Sequence, residues 1–316
     1  MREQGARVTE GQKGAAAMIG ACVVWGLSPL YYKLLSHVPA LEVLSHRTLW
    51  SVVFFTVLLA VQGRLSHLRP LVWGRAGLVT AFAALMMSLN WFFFIFSVQN
   101  GHTVEASLGF YIFPLVAVAV GVLAFGERLR RVQFFAIGLA TVAVITLALG
   151  LGVTPWIAIV LAVTLAGYGA AKRFGTAGPV VSVAAEVVMV LPFGLMWLAL
   201  THAGHAPQST GAFGHDTRTS VLLVLSGLMT ATPLILFSYA TQRVSMTTVG
   251  LIQYLNPTLQ FFCAVLVFSE PFTFWHKIAF GLIWAALLVY SAEAAWRERS
   301  TRRAARMTMP VPPAAL

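Results

Sequence analysis

The sequence predicts an all-α polytopic membrane protein with ten transmembrane helices, arranged as two inverted five-helix repeats. Three observations predict this fold: the composition, the lengths of the apolar segments and a stretch of sequence that occurs twice. Hydrophobic residues make up 59% of the 316 residues and charged residues only 10%, with a mean hydropathy of +0.82. A soluble globular protein carries about 25% charged residues. The composition therefore indicates a protein that lies in a bilayer.

Ten segments are long and apolar enough to cross a bilayer as helices. A span needs roughly 17–25 mostly apolar residues, because the hydrocarbon core is about 30 Å thick and a helix rises about 1.5 Å per residue. Strands of a membrane barrel alternate polar and apolar residues, whereas runs such as VITLALGLGV and LLVLSGLMTA are apolar on all sides. The predicted spans are 15–36, 40–61, 76–98, 103–125, 132–150, 154–172, 178–200, 219–241, 245–268 and 273–295.

The distribution of basic residues predicts the topology. If the N-terminus is cytoplasmic, 17 of the 21 Lys and Arg residues fall in the tails or the even-numbered loops. This bias follows the positive-inside rule and predicts a multi-pass protein of the cytoplasmic membrane with both termini in the cytoplasm. We therefore interpret the net charge of +11 as a topology signal and a contact with anionic lipids, not as a nucleic-acid surface.

The sequence contains no pattern typical of a metal site, a cofactor site or an enzyme. Cys22 and Cys263 lie within spans and lack CxxC spacing, and the histidines of the 201–218 loop match no standard zinc spacing. The chain also lacks HExxH, GxSxG and nucleotide-binding motifs. We therefore expect no metal and no cofactor, and a process driven by an ion or solute gradient and not by ATP.

One stretch of sequence occurs twice, 143 residues apart, as FYIFPLVAVAVGVLAFGE and QYLNPTLQFFCAVLVFSE. Each copy closes the fourth of five spans, and five is odd, so the second copy enters the membrane from the opposite side. Many secondary transporters have this inverted layout, with the substrate near the midplane. We expect a cytoplasmic tail (1–14), a first repeat (15–150), a second repeat (151–295) and a basic, disordered cytoplasmic tail (296–316).

Ionisable residues within the spans are the first candidates for site residues, because each costs about 2.5–3.5 kcal/mol on insertion scales. Glu186 lies about eight residues, or about 12 Å, into span 7. Arg47 is comparably deep in span 2, and an offset of 139 residues aligns the two positions between the repeats. We expect them to meet as a charge pair, which is either a substrate or proton site or a structural interhelical ion pair.

Other polar residues in the spans are candidates for the same pathway. Glu42 and His46 share a helix face, and with Arg47 they form either a proton relay near the outer mouth or a cluster that anchors span 2. Further polar residues either line a cavity for a moderately apolar organic solute or bridge helices, at about 0.6 kcal/mol per bridge. These residues are Asn90, Tyr111, Tyr254 and Asn256.

Four residues of the doubled stretch are predicted to be structural. Pro114 and Pro257 occupy equivalent positions and should kink their helices. Glu270 is followed by a proline, a residue favoured at the first position of a helix. We therefore expect Glu270 to cap the helix that starts there, and Glu127 to do the same for span 5.

Three further stretches, WGLSPLYYKLL, EVLSHRTLWS and NWFFFIFSVQNGHTVEASLGFYIFPL, complete the pattern. With the two five-span repeats, they resemble the EamA-type drug/metabolite transporters, and among these the RarD group associated with chloramphenicol sensitivity. The resemblance covers residues 15–295 and implies a ten-helix permease. We expect a monomeric or homodimeric secondary active transporter that moves a small organic metabolite or drug-like solute by alternating access, with proton or ion coupling. The alternatives are a membrane-embedded enzyme and a non-transporting channel or scaffold.

Overall fold

The computed structural model describes residues 10–126, 131–151, 155–172, 174, 177–205, 211–241, 243–244 and 252–307, and over these ranges its regular secondary structure is entirely helical. Within these ranges, six helices are long and apolar enough to cross a membrane, and four shorter apolar helices accompany them. Each predicted span overlaps one of these ten helices. The all-helical, multi-pass prediction is therefore confirmed for the described part of the chain.

The first half of the chain begins with a broken helix. Pro29 has no N–H group to continue the hydrogen bonding of the preceding turn, and the chain breaks at Leu27 between α1 and α2. The helices of this half are α1 (Glu10–Gly26), α2 (Ser28–Leu34), α3 (Ala40–Val61), α4 (Arg69–Val72), α5 (Arg75–Gln99), α6 (Thr103–Phe125) and α7 (Arg131–Leu151), with a 3₁₀ turn at Leu65–Leu68 before α4.

The second half contains another broken span. Asp216 caps its first helix by accepting hydrogen bonds from the Thr219 hydroxyl and backbone N–H, which lower the pKa of the Asp216 carboxyl. The helices of this half are α8 (Trp156–Lys172), α9 (Pro179–His202), α10 (Thr217–Leu225), α11 (Leu228–Thr241), α12 (Leu255–Phe262), which continues into a π-helical turn at Cys263–Val267, and α13 (Phe274–Met307).

The doubled stretch ends in the same backbone conformation in both copies. Gly126, after α6, has φ of 63°, and Ser269, its equivalent after the π-helical turn, has φ of 52°. A left-handed residue commonly ends a helix, although it is unusual for a residue with a side chain. The repeated sequence therefore terminates both helices in the same way, and it places Glu270 immediately after such a turn.

The helices pack so that large side chains fill the interior and other apolar side chains face outward. One core cluster joins α6, α7, α8, α12 and α13 around Leu108, Tyr111 and Phe280. Another joins α2, α3, α5 and α8 around Tyr32 and Phe94. Large apolar residues such as Leu123, Leu149, Leu288, Leu78 and Phe193 are exposed on the outside. A continuous exposed apolar surface of this kind suits contact with lipid.

The break between α10 and α11 allows a close approach to α3. A Cβ atom at Gly227 would lie 2.6 Å from the carbonyl carbon of Trp50 and 2.8 Å from the amide nitrogen of Ser51. These are backbone atoms, so the helices themselves would have to separate. Glycine at this position therefore permits the contact through which α3 packs on the second half.

We expect Gly227→Ala to lower the stability of the protein by about 1–3 kcal/mol, because the added methyl group overpacks a helix contact. The apparent melting temperature in detergent, followed by size-exclusion chromatography, measures the effect. Gly281→Ala is the matched control, because no atom lies within 4 Å of a Cβ built at that position. Equal melting temperatures for the two variants would contradict the role assigned to Gly227.

Candidate functional site

A small cavity of about 40 Å³ lies between helices of both halves. This volume holds ordered water, which needs at least about 10–15 Å³, but not a drug-sized ligand, which needs about 300 Å³ or more. The cavity is therefore constricted in this conformation. Its lining comes from α3, α5, α9 and α11 and consists of Leu44, Arg47, Thr48, Ser51, Ala84, Met87, Ser88, Trp91, Val183, Glu186, Val187, Val190 and Thr230.

Arg47 carries a buried positive charge at this cavity. Its side chain is 5% exposed, and the guanidinium carbon lies 3.6 Å from the centroid of a Trp91 ring. Among the described residues, its Nε and Nη2 atoms have no hydrogen-bond partner. A cation–π contact offsets about 2 kcal/mol of the cost of burial, and a buried charge without a hydrogen-bonded partner costs more than that.

Glu186 lies on the same cavity but has its own partners. Its Oε1 atom accepts a hydrogen bond from Lys172, in the last turn of α8, and another from Ser182 Oγ at 3.2 Å, whereas its Oε2 atom has no hydrogen-bond partner among the described residues. The Lys172 ammonium also lies 2.5 Å from Ser182 Oγ and 4.9 Å from the centroid of the Tyr168 ring. This arrangement neutralises the buried acid and ties the end of α8 to the second turn of α9.

The expected Arg47–Glu186 charge pair is absent from this structure, and the packing of α3 on α9 explains why. Gly194 lies against Ser45, while Phe55 clusters with Ala184, so the two helices are antiparallel. In this register Arg47 lies opposite position 192 of α9, six residues beyond Glu186. Six residues correspond to about 9 Å along the helix axis, which is too far for a salt bridge.

Lys172 is the functional candidate that the sequence interpretation missed. The signal is the short connection between α8 and α9, which returns the chain after few residues. The long side chain of a lysine in the last turn before such a connection can reach an acid two turns into the next helix. This spacing across the connection predicts the Lys172–Glu186 pair.

Glu42 and His46 lie at the N-terminal end of α3, beneath the segment 211–216. Glu42 is fully buried and accepts a hydrogen bond from the backbone N–H of Ala212 at 2.7 Å. His46 stacks on Phe213, with ring centroids 5.0 Å apart, and Phe213 also contacts Trp50. Neither ring nitrogen of His46 has a hydrogen-bond partner within the described ranges. The link that a relay requires between His46 and Glu42 is therefore not made in this conformation.

The remaining polar candidates lie away from the cavity lining and bridge helices instead. Asn90 donates through Nδ2 to the Leu161 carbonyl and to Thr164 Oγ1, both at 2.9 Å, and so joins α5 to α8. The Tyr111 hydroxyl lies 2.7 Å from Thr258 Oγ1 and joins α6 to α12.

Tyr254 and Asn256 lie at the start of α12, and each accepts a hydrogen bond from a residue four positions later. The Tyr254 carbonyl accepts a hydrogen bond from Thr258 Oγ1, and Asn256 Oδ1 accepts one from Gln260 Nε2. The equivalent prolines also differ in context, because Pro114 lies within α6 and Pro257 in the first turn of α12. A place for these residues on the pathway stays a prediction.

Glu270 caps a different helix from the one expected. Its Oε1 atom accepts the backbone N–H of Thr103 at 2.9 Å, and its Oε2 atom accepts that of Val104 at 2.8 Å. These are the first amides of α6, in the other half of the chain, and α13 begins only at Phe274. A carboxylate at a helix N-terminus satisfies unpaired amides and favours the helix dipole. Glu127 lies outside the described residues.

We expect Glu270→Ala to destabilise the protein by at least about 2 kcal/mol, because two buried amides of α6 lose a charged acceptor. The melting temperature in detergent measures the loss. Glu105→Ala, in the first turn of the same helix, is the control and should cost less than about 1 kcal/mol. A Glu270→Gln protein that is abundant and thermally stable but inactive in transport would contradict a purely structural role.

An all-helical, multi-pass protein with buried charges around a cavity between its helices has the features of a membrane permease. The EamA-like transporter family model matches residues 12–149 and again residues 154–292. The chain therefore belongs to the EamA-like transporter family.

Relatives in several bacteria match this chain over nearly their whole length. Protein RarD of Streptomyces exfoliatus is 42% identical over 96% of this chain and 97% of its own. Protein RarD of Escherichia coli is 33% identical over 92% of this chain and 98% of its own. An uncharacterized transporter of Bacillus subtilis, YojE, is 36% identical over 92% and 98%. Within its family, this chain is therefore a RarD-like permease.

A solved crystal structure of a protein that is 18% identical superposes on the chain with a TM-score of 0.58, covering 89% of this chain and 96% of the other. This likeness shows a shared fold.

Proposed function

We propose that this RarD-like permease is a secondary active transporter that moves a small organic solute across the cytoplasmic membrane by alternating access. The observation that carries the proposal is the cavity between the halves, which is lined by the buried side chains of both Arg47 and Glu186. Buried ionisable groups within membrane helices commonly mark the path of a solute or a proton. Residues 15–150 and 151–295 are the two repeats of this proposal.

The packing of the helices supports an inverted two-fold relation between the halves. The repeats match α1 with α8, α3 with α9, α5 with α11, α6 with α12 and α7 with α13. If each helix is replaced by its equivalent in the other repeat, the contact α6–α8 becomes α12–α1, and the contact α5–α8 becomes α11–α1. All four of these contacts occur in the structure. The contacts α3–α9, α6–α12 and α7–α13 map onto themselves. The family model also matches the chain once in each half.

Two closures at opposite ends of α3 and α9 suit alternating access. The segment 211–216 covers the N-terminal end of α3 through Glu42 and Phe213. At the other end of the cavity, Lys172 ties α8 to α9 through Glu186. With both termini in the cytoplasm, the first closure is external and the second cytoplasmic. Releasing one closure while the other holds would open the cavity to one side at a time.

Protonation of Glu186 is the coupling step of the proposal. A protonated carboxyl no longer holds the Lys172 ammonium by charge, so the end of α8 can leave α9 and widen the cytoplasmic side. The proton reaches Glu186 while the cavity is open to the outside, and its release to the cytoplasm restores the ion pair and closes the site. Basic loops and tails contact anionic lipids, and the transporting unit is a monomer or a homodimer.

Transport can be tested without knowing the solute. Proteoliposomes are loaded with a ¹³C-labelled bacterial small-molecule extract, a pH gradient is imposed in either direction, and mass spectrometry compares the retained solutes with those of protein-free liposomes. We expect gradient-dependent loss or uptake of a small set of organic solutes. Chemical conversion of a solute without movement would favour a membrane-embedded enzyme. Equal leakage of many solutes regardless of the gradient would favour a channel.

A further inference from the structure

Arg47 is more deeply buried than the other basic side chains whose contacts the structure describes in the membrane region. Half-buried Lys33 donates to the Val98 carbonyl and lies over the Phe268 ring. Lys172 pairs with Glu186, and Lys13 pairs with Glu10 on α1. Arg243 also pairs with Glu10, while stacking on Tyr239 at 3.5 Å. Arg47 has a comparable aromatic contact but no carboxylate within salt-bridge distance in the described ranges.

The contacts of Arg47 do not indicate that its charge stabilises the fold. Removing a buried charge that has no anion is usually neutral or favourable for stability. The guanidinium lies over the Trp91 ring, and its Nε and Nη2 atoms have no hydrogen-bond partner among the described residues. Because Glu186 is neutralised by Lys172, the ionised side chains on the cavity carry a net positive charge.

We propose that Arg47 is the recognition site for a carboxylate, so that the solute of this permease is a small organic monocarboxylate anion. The inference rests on the proposed transport function and names the substrate class of that same site. A planar carboxylate accepts two parallel N–H bonds from a guanidinium, which is a strong and geometrically specific contact. The solute supplies the negative charge that the protein does not place beside Arg47.

The rest of the cavity lining defines the body of the solute. Three valines of α9 and three apolar residues of α3 and α5 present apolar surface, and the Trp91 ring extends it. Hydroxyl groups of Thr48, Ser51 and Thr230 offer a few hydrogen bonds. A compact aromatic or branched aliphatic body with one carboxylate matches this lining. A solute with a positive charge is disfavoured, because the acid of the cavity already has a partner.

Binding can be measured with sodium benzoate as the probe, on the full-length protein in detergent and at constant ionic strength. The concentration dependence of the melting temperature reports binding, because a ligand that binds the folded state stabilises it. We expect benzoate to raise the melting temperature, and benzamide and benzylamine to leave it unchanged. In Arg47→Gln the apparent affinity for benzoate should fall at least tenfold, whereas Arg47→Lys should retain part of it. Arg243→Gln is the matched control and should bind benzoate normally.

A second readout separates recognition from a structural role. If Arg47 serves recognition, Arg47→Gln without ligand should melt at the same temperature as the unmodified protein or higher. A lower melting temperature, or benzamide binding as well as benzoate, would overturn the inference. Transport of labelled solutes without any benzoate binding would reject the carboxylate and leave the transport function standing. Arg47-dependent benzoate binding without transport would reject the transport function and leave the carboxylate site standing.

Discussion

Replacing Glu186 with glutamine should reduce gradient-driven accumulation of the transported solute by about a hundredfold, near the upper range of coupling free energies between two sites. Glutamine has the same shape but neither the charge that holds Lys172 nor a proton to exchange. The cytoplasmic closure through Lys172 and Ser182 would then no longer respond to protons. Exchange of labelled for unlabelled solute across the same membrane, which needs no coupling, should persist.

The measurement compares accumulation and exchange in one proteoliposome preparation, using the solute identified from the labelled extract. Glu105→Gln is the matched control: it also removes a carboxylate from a membrane helix, but this carboxylate pairs with His102 and does not line the cavity. Accumulation that survives in Glu186→Gln would reject the site and leave the transporter class intact. Loss of exchange together with accumulation would assign Glu186 to solute binding instead of coupling.

The helix positions were predictable from the sequence because the bilayer imposes them. Apolar length sets where a helix can cross, and backbone groups in lipid must be paired within the helix. Pro29 and Gly227 also carry the signals of the two broken spans, at Leu27 and between α10 and α11. Helix positions and helix breaks depend on local sequence, so composition and residue spacing predict them directly.

The partners of the charged residues were not predictable in the same way. The repeat alignment predicts that Arg47 and Glu186 are equivalent, but equivalence under an inverted two-fold axis places residues at opposite depths unless they lie at the midplane. Glu270 illustrates the same limit, because its two amide donors are 167 and 166 residues away in sequence. A glutamate that follows a turn is a recognisable cap, but which helix it caps depends on tertiary packing.

The position of the segment 211–216 over α3 also depends on tertiary packing. This segment closes one end of the cavity in the proposed mechanism. Phe213 stacks on His46 and contacts Trp50, while the neighbouring amide of Ala212 is held by Glu42. Phe213 is half-buried, so its burial contributes less than the about 1.5–3 kcal/mol of a fully buried phenylalanine, and an aromatic pair adds about 0.5–1.5 kcal/mol. Phe213 therefore supplies a substantial part of the contact that closes this end of the cavity, beside the hydrogen bond to Glu42.

We accordingly expect Phe213→Ala to open the cavity on the side of this segment. The reporter is a cysteine at Thr48, a buried cavity residue, in a protein lacking Cys22 and Cys263. Labelling by a membrane-impermeant thiol reagent from that side should become about ten- to a hundredfold faster, which corresponds to about 1.4–2.8 kcal/mol.

Labelling from the opposite side should stay slow, because the Lys172–Glu186 pair is untouched. Phe193→Ala, which removes an exposed ring from the outer face of α9, is the control and should leave both rates unchanged. An unchanged rate in Phe213→Ala would mean that α3 and α9 close the cavity by their own packing. Faster labelling from both sides would mean that opening one closure also opens the other, which contradicts alternating access.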